Sequence, residues 1–187
     1  AVEADLADSA AVARLVPAAA RALGPLGCLI NNASIFERDD ITTVTPDSWE
    51  RHLAVNLRAP FFLSQAFAAQ VSASERGGIV NIIDERVWHL TPHFASYTVS
   101  KAGLWTLTQT LAMALAPRIR VNAVGPGPTL PSPYQSQAQF DAQCARMPLG
   151  QGTSPGEICA AIRFILAARA MTGQMIALDG GQHLGWG

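Results

Sequence analysis

The chain has 187 residues, of which 49% are hydrophobic and 14% are charged, and its formal net charge is -1. This length fits one domain with a substantial core, and the near-neutral charge argues against a nucleic-acid or membrane-surface protein. No apolar stretch reaches the roughly 20 residues that a membrane span needs. The three cysteines show no metal-binding spacing. We therefore predict a globular, cytoplasmic domain without a metal ion, a nucleic-acid partner or a membrane partner.

The first third of the chain alternates helical and strand-like patterns. Apolar residues three and four apart predict an amphipathic helix over 8–23, and the short apolar run at 28–30 fits a strand buried on both faces. Threonine, proline and aspartate at 45–47 supply a capping hydroxyl, a first helical residue and an acid for the first turn. They predict a helix over 46–71, with a bend at Pro60.

The same alternation continues to the end of the chain. Further strands are predicted at 79–83, 118–124 and 174–178, and further helices at 96–115 and 154–169. The connection at about 128–153 exceeds the usual loop length, which predicts a substrate-side lid containing some helix. Short apolar strands between longer helices predict βαβ units, and hence a doubly wound, Rossmann-like parallel sheet of the α/β class.

Polar or glycine-rich segments follow three successive strands, at 31–34, 84–86 and 125–129. In a doubly wound sheet, ligands bind beyond the carboxyl ends of the strands. These segments therefore suit a nucleotide-like ligand, although ordinary loop composition explains them equally well.

Tyr97 and Lys101 form the most informative pair in the sequence. Lys101 is the only lysine among 13 basic residues, and Tyr97 is one of two tyrosines. At a spacing of four on a helix, both side chains face the same space. An ammonium group lowers the pKa of a nearby phenol from about 10, which makes it a usable acid or base near neutral pH. Chance placement remains the alternative.

Together, these segments resemble the short-chain dehydrogenase/reductase family over nearly the whole chain. The motifs occur in the family's order, at Ala4-Asp5-Leu6, Asn31-Asn32-Ala33-Ser34, Asn56, Tyr97 with Lys101, Pro126-Gly127, and Thr172-Gly173-Gln174 with Asp179-Gly180-Gly181. The resemblance implies that Tyr97 and Lys101 are catalytic and that Asn56 holds a proton-relay water. It also implies cofactor-binding roles for Asp5, Asn32, Ala33, Ser34, Tyr97, Lys101, Pro126, Gly127 and Thr129.

The resemblance implies that the family's glycine-rich phosphate loop is missing from these 187 residues. The Gly-x-x-x-Gly-x-Gly spacing occurs once, at Gly181, Gly185 and Gly187, after the last predicted strand and not between a strand and a helix. We expect the chain to be an N-terminally truncated Rossmann-like domain that lacks the first βαβ unit. The pyrophosphate of a dinucleotide binds at the helix N-terminus of that unit, so we expect these residues alone to bind a dinucleotide poorly. The resemblance implies NADP(H) as the cofactor, and NAD(H) stays open because the deciding segment is absent.

A second departure concerns Asp84, which stands thirteen residues before Tyr97 where the family has serine. An ionised carboxylate offers no donor to a carbonyl oxygen, but it accepts hydrogen bonds from an amine or a protonated ring nitrogen. Asp84 resembles the pteridine reductase and dihydromonapterin reductase branch, as do Ser34 and the aromatic Phe36 two residues later. The resemblance implies NADPH-dependent reduction of a dihydropterin C=N bond, with Ser34, Phe36, Asp84 and Tyr97 binding the substrate.

Several alternatives stay open at this point. Phe36 could pack under a loop, Ser34 could be a turn residue, and Asp84 could form a surface ion pair with Arg86. The protein could instead reduce a ketone or an acyl-carrier substrate, or it could be a noncatalytic NAD(P)-binding sensor. The resemblance also implies a homodimer or homotetramer that pairs the helices over 46–71 and 96–115.

Overall fold

The structure is a computed structural model and describes residues 1–185. Its centre is a sheet of four parallel strands in the spatial order β1-β2-β3-β4. The strands are β1 (Cys28–Asn31), β2 (Gly77–Ile82), β3 (Ile119–Pro126) and β4 (Met175–Leu178). The predicted α/β class with a Rossmann-like parallel sheet is confirmed.

Helices cover both faces of this sheet. They are α1 (Ser9–Leu23), α2 (Pro46–Leu53), α3 (Ala59–Gln70), α4 (Ala95–Leu115), α5 (Gln137–Ala145) and α6 (Pro155–Ala167). Ile79 of β2 packs with Phe67 of α3 and Ala112 of α4. The next residue, Val80, packs with Ile165 of α6. Successive strand residues point to opposite faces, so α3 and α4 lie on one face and α6 on the other.

The helix starts follow the capping signals of the sequence. The Thr45 side chain accepts a hydrogen bond from the backbone N–H of Ser48, as the N-cap of α2. Ser154 and Glu157 form a capping box at the start of α6. The long connection between β3 and α6 contains α5, as predicted, although its role as a lid stays a prediction.

The predicted helix over 46–71 is interrupted just before Pro60 by a π-helical segment, Ala54–Arg58, between α2 and α3. Proline has no N–H to give to the carbonyl four residues earlier. The ladder adjusts by bonding the N–H of Ala59 to the carbonyl of Ala54, five residues back. Such segments are frequent at functional sites, and this one contains Asn56.

Strand β2 is the most deeply buried strand of the sheet. All of its residues are buried, as the sequence predicts. Within residues 1–185, β1 is the first strand in the sheet order, and its Ile30 is 44% exposed. No helix within residues 1–185 is both long and apolar enough to span a bilayer.

Candidate active site

Asp84 and Tyr97 meet directly beyond the end of β2. The phenol of Tyr97 donates a hydrogen bond to Asp84 Oδ2 at 2.7 Å, and Asp84 Oδ1 accepts one from the backbone N–H of Arg86 at 2.9 Å. The proposed alternative of an Asp84–Arg86 ion pair is wrong, because the salt bridges of the described residues do not include one. The carboxylate is thus free to act with Tyr97.

Lys101 lies on the same face of α4 as Tyr97, as predicted, but it does not bond to the phenol. Its Nζ donates to the carbonyl of Ile82 at 2.8 Å and stands 5.8 Å from the centre of the Tyr97 ring. Burial lowers the pKa of Lys101 to about 8, although Asp84 opposes this effect. The ammonium is therefore held next to the site without a carboxylate contact.

The expectation that Lys101 lowers the pKa of Tyr97 is wrong in this structure. Burial raises the pKa of the phenol well above 10, and the charge and hydrogen bond of Asp84 raise it further. Phenolate formation is costly beside a carboxylate in a site of low dielectric. Tyr97 is consequently held in its protonated form, as the donor of the pair.

Asn56 ties the segment after β1 to the catalytic helix. Its Oδ1 accepts hydrogen bonds from Ser34 Oγ at 3.1 Å and from the N–H of Ile35 at 2.9 Å. Its Nδ2 donates to the carbonyl of Ile35 and to Ser100 Oγ. The Asn56 side chain thus connects Ser34 with Ser100 of α4. Its role in holding a relay water stays a prediction.

Phe36 lies beside Tyr97, within an aromatic cluster that the sequence did not predict. Its ring stacks on Phe94 at 4.5 Å with an interplanar angle of 11°, and meets Tyr97 edge-on at 4.7 Å. Phe36 remains 41% exposed. One part of the Phe36 ring therefore packs on Phe94 and Tyr97, and another part is open to solvent. Its stacking on a substrate ring stays a prediction.

A buried polar network supports the first turn of α4 and was also missed. The Asp39 carboxylate accepts hydrogen bonds from the N–H and hydroxyl of Ser96 and from the hydroxyl of Ser48. His52 Nδ1 lies 2.7 Å from Ser96 Oγ. Burial opposes ionisation of Asp39, but these hydrogen bonds prevail and hold its pKa below the ordinary value. The network fixes the residue that precedes Tyr97.

Glu85 is the second buried acid that sequence patterns did not identify. It is 3% exposed, and its Oε2 has no hydrogen-bond partner in the part of the chain that the structure describes. Burial, with Asp84 as the next contribution, raises its pKa to about 7. The short 3-10 turn Glu85–Val87 packs against the turn Gln182–Leu184 near the C-terminus. A carboxyl group that is largely neutral below pH 7 therefore lies next to Asp84.

We expect the Glu85→Gln variant to be more stable than the wild type at pH 8, and to lose most of this advantage at pH 4, below the unfolded pKa. A carboxyl group whose pKa is raised by folding destabilises the fold increasingly as pH rises from its unfolded value near 4.5 to the folded value of about 7. Above pH 7 the gain from glutamine should be roughly 1–3 kcal/mol. Thermal unfolding at both pH values checks this, and equal differences at both would contradict it.

The predicted cofactor residues lie around the Asp84–Tyr97 pair, but not all of them contact it. Pro126, Gly127 and Thr129 form the turn after β3, where Thr129 donates to the carbonyl of Gly127 at 3.0 Å. Asn32 and Ala33 are exposed directly after β1. The carboxylate of Asp5 accepts from its own loop, and no hydrogen bond within residues 1–185 joins it to the other predicted residues.

Two observations fit a dinucleotide at this edge of the sheet. The Lys101 ammonium has three N–H donors, and one of them is used in the described residues, on Ile82. Gln182 Oε1, which lies close to Gly127 in the turn after β3, is buried and has no hydrogen-bond partner within residues 1–185. Gly127 itself is required by packing, because a Cβ there would lie 2.8 Å from the backbone of Asp179. No group of three potential metal-ligating side chains occurs within residues 1–185.

Comparison with known proteins agrees with this geometry. Residues 1–183 match the family described as enoyl-(acyl carrier protein) reductase. The chain is 47% identical to FolM alternative dihydrofolate reductase 1 from Brucella canis, solved with NADP, with a TM-score of 0.96 over 100% of this chain and 74% of that one. It is 35% identical to a short-chain dehydrogenase from Burkholderia cenocepacia J2315, also solved with NADP, with a TM-score of 0.89 over 96% of this chain and 75% of that one.

A curated relative extends the comparison by sequence. The inactive 2-(S)-hydroxypropyl-CoM dehydrogenase 2 of Xanthobacter autotrophicus is 34% identical over 96% of this chain and 83% of its own length. The family match covers nearly all of the chain, and the Tyr97–Lys101 pair and the parallel sheet lie where the sequence predicts them. The chain belongs to the short-chain dehydrogenase/reductase family of oxidoreductases.

Proposed function

We propose that the protein is an NADPH-dependent reductase of a dihydropterin. The hydrogen bond between Asp84 and Tyr97 carries this proposal, because it puts a carboxylate where a carbonyl substrate needs a donor. A carboxylate instead suits the N–H groups and protonated ring nitrogens of a pterin. The 47% identity with the Brucella protein named an alternative dihydrofolate reductase supports the same substrate class.

The cofactor residues that the family resemblance implies are present at this site, and Lys101 has two N–H donors that are unused in the described residues. Lys101 would bind the ribose hydroxyls next to the nicotinamide, the turn at Pro126 and Gly127 would support the nicotinamide ring, and Thr129 would lie beside its carboxamide. Bound NADPH supplies the hydride that the carbon of the C=N bond receives. The remaining proton must come from the protein.

Tyr97 and Asp84 are the groups that can deliver this proton. Burial and Asp84 keep the phenol protonated, so Tyr97 holds a proton at the site over the whole neutral range. Asp84 binds the phenol on one oxygen, and it can bind a ring N–H of the substrate. Transfer of the Tyr97 proton to the ring nitrogen leaves an additional negative charge on the Asp84–Tyr97 pair. The nearby Lys101 ammonium stabilises this charge, and a proton from solvent then restores the phenol.

The test is oxidation of NADPH by the full-length protein with 7,8-dihydrobiopterin or 7,8-dihydrofolate, followed by cofactor absorbance. We expect turnover of at least one of them, exceeding that of simple ketones and of an acyl-carrier β-ketone. Because the 187 residues hold no glycine-rich phosphate loop, we expect them alone to bind NADPH weakly. Turnover confined to the ketones would refute the pterin assignment, and NADPH binding without any turnover would favour a noncatalytic sensor.

We further propose that the protein forms a homodimer or homotetramer through α2, α3 and α4. An open, mostly apolar groove between these helices is lined by Leu53, Leu57, Phe61, Gly103 and Leu107, together with Arg58 and the exposed Thr106. A second arginine in this groove would be buried without a partner on association. We expect Thr106→Arg to sediment as a smaller species than the wild type. Gln109→Arg, exposed on the same helix, is the matched control, and a monomeric wild type would contradict the proposal.

A further inference from the structure

Phe94, the residue that precedes α4, has a backbone conformation that its side chain disfavours. Its φ of 61° and ψ of 49° lie in the left-handed region, where a bulky residue is rare and strained. Strain of this kind persists where surrounding contacts impose it, and it concentrates at functional sites. Here the N–H of Phe94 donates to the carbonyl of Asp39 at 2.7 Å, and its carbonyl accepts from Thr98 at 2.8 Å.

The strained backbone places the Phe94 ring between the active site and a cation. The ring stacks on Phe36, which in turn touches Tyr97. The guanidinium carbon of Arg86 lies 5.0 Å from the centre of the Phe94 ring, within the range of a cation–π contact. Arg86, Phe94 and Phe36 thus form one continuous layer, which we call the arginine–aromatic layer, beside Tyr97.

Arg86 has hydrogen-bonding capacity that the protein leaves unused. One terminal nitrogen donates to Thr91 Oγ1 at 2.6 Å, but Nε is buried and has no hydrogen-bond partner among the described residues. Asp84 and Glu85 directly precede Arg86 in the sequence, yet no ion pair within residues 1–185 includes Arg86. Buried donors are nearly always paired, so the unpaired Nε–H next to the Asp84–Tyr97 pair indicates a missing acceptor.

We propose that Arg86, held in place by Phe94, determines substrate specificity by donating a hydrogen bond to an oxygen atom of the substrate, either a ring carbonyl or a carboxylate. The proposal rests on the dihydropterin reductase function and adds a second recognition group to it. Asp84 accepts hydrogen bonds from ring N–H groups, whereas the planar guanidinium donates to oxygen acceptors. The negative Asp84 and the positive Arg86 would together favour a planar heterocycle that carries both N–H donors and oxygen acceptors.

The test compares the wild type with Arg86→Met in the full-length protein. Losing a hydrogen bond to a charged donor should raise KM by about 10–100-fold, while kcat stays within about threefold and NADPH affinity is unchanged. Dihydrobiopterin carries a ring carbonyl without a carboxylate, and dihydrofolate carries both. A rise in KM for both substrates identifies the ring carbonyl as the acceptor, and a rise for dihydrofolate alone identifies the carboxylate.

Two further variants separate recognition from a structural role. Thr91→Val removes the loop contact of Arg86 but keeps its charge, and we expect an unchanged KM. Phe94→Leu removes the cation–π contact, and its effect should not add to that of Arg86→Met because both act on one group. KM values unchanged by Arg86→Met, or raised equally by Thr91→Val, would overturn the inference. A wild type that reduces no dihydropterin would overturn the proposed function itself.

Discussion

Replacing Asp84 with asparagine should lower kcat/KM for a dihydropterin by about 10²–10³-fold. Asparagine keeps the size of the side chain and can still accept the hydrogen bond of Tyr97, but it carries no charge to bind a protonated ring nitrogen. It also cannot take up a proton from the phenol. Because Asp84 lies beside the turn after β2 and not at the turn after β3, NADPH binding should change by no more than about twofold.

The same substitution has a second, independent readout in the titration of Tyr97. The chain has two tyrosines, so the Tyr134→Phe background isolates the absorbance of Tyr97. Burial and Asp84 raise the pKa of Tyr97, so Asp84→Asn should lower it while burial still keeps it above 10. Spectrophotometric titration of tyrosinate absorbance measures this shift directly, without substrate or cofactor.

A matched control is Asp40→Asn, which removes a carboxylate that pairs with His93 at 2.9 Å on the surface. It should leave kcat/KM within about threefold of the wild type, because exposed pairs contribute little. Asp84→Ser tests the assignment of the branch, since serine restores a donor for a carbonyl. Unchanged dihydropterin turnover in Asp84→Ser would show that the carboxylate has no part in substrate recognition.

Local sequence patterns predicted the elements of the fold and the pair on α4. Hydrophobic periodicity and capping residues act within a few residues, so strands, helices and the capping box at Ser154 and Glu157 could be located from the chain alone. The spacing of Tyr97 and Lys101 is likewise a local property of a helix. Asp84 could be identified only because it lies thirteen residues before Tyr97. That spacing is informative only through the resemblance to the family, which has a site residue at this position.

Tertiary contacts explain what the sequence could not predict. Asp39 lies 57 residues before Ser96 in the chain, and nothing in its surrounding sequence indicates that it supports another helix. The pKa of Tyr97 was predicted from one neighbour, Lys101, whereas burial and Asp84 determine it. Glu85 looks like an ordinary surface acid until the turn Gln182–Leu184 packs against it.

Asp39→Ala should lower the free energy of unfolding by about 3–5 kcal/mol, the largest stability change that we predict. The carboxylate is 3% exposed and accepts hydrogen bonds from the N–H and the hydroxyl of Ser96 and from the hydroxyl of Ser48. Alanine would leave the buried N–H of Ser96 without an acceptor and would remove the carboxylate acceptor of the Ser96 and Ser48 hydroxyls. For a chain of this size, the melting temperature should fall by roughly 10 °C.

The Asp39→Ala substitution should also lower catalytic activity, because Asp39 supplies the hydrogen-bond acceptors that an N-cap residue would give to α4. Phe94, the residue before the helix, makes no side-chain capping bond, and the carbonyl of Asp39 accepts the N–H groups of Phe94 and Ala95 instead. A negative charge at this end also stabilises the helix dipole. Without the carboxylate, the first turn that carries Tyr97 should loosen, so kcat should fall even at temperatures where the variant is folded.

The pH dependence gives this prediction a distinct signature. Hydrogen bonds hold the pKa of Asp39 below its ordinary value of 3.8 despite the burial that opposes them. A group with a depressed folded pKa stabilises the protein fully above its unfolded pKa, and this contribution is lost as pH falls through the folded pKa. The difference between wild type and Asp39→Ala should therefore be constant from pH 5 to 8 and shrink below about pH 4.

Asp47→Ala is the appropriate control, since Asp47 is an exposed acid in the first turn of α2. It should cost no more than about 1 kcal/mol, with kcat unchanged, because its carboxylate reaches neither Ser96 nor the catalytic helix. The melting temperature of Asp39→Asn should lie between those of the two alanine variants. The carboxamide oxygen keeps one acceptor, but the NH₂ group faces the N–H and hydroxyl donors of Ser96 and Ser48 without accepting from them. If Asp39→Ala melted within about 2 °C of the wild type, the first turn of α4 would have to be held by the aromatic stack of Phe94 on Phe36 instead.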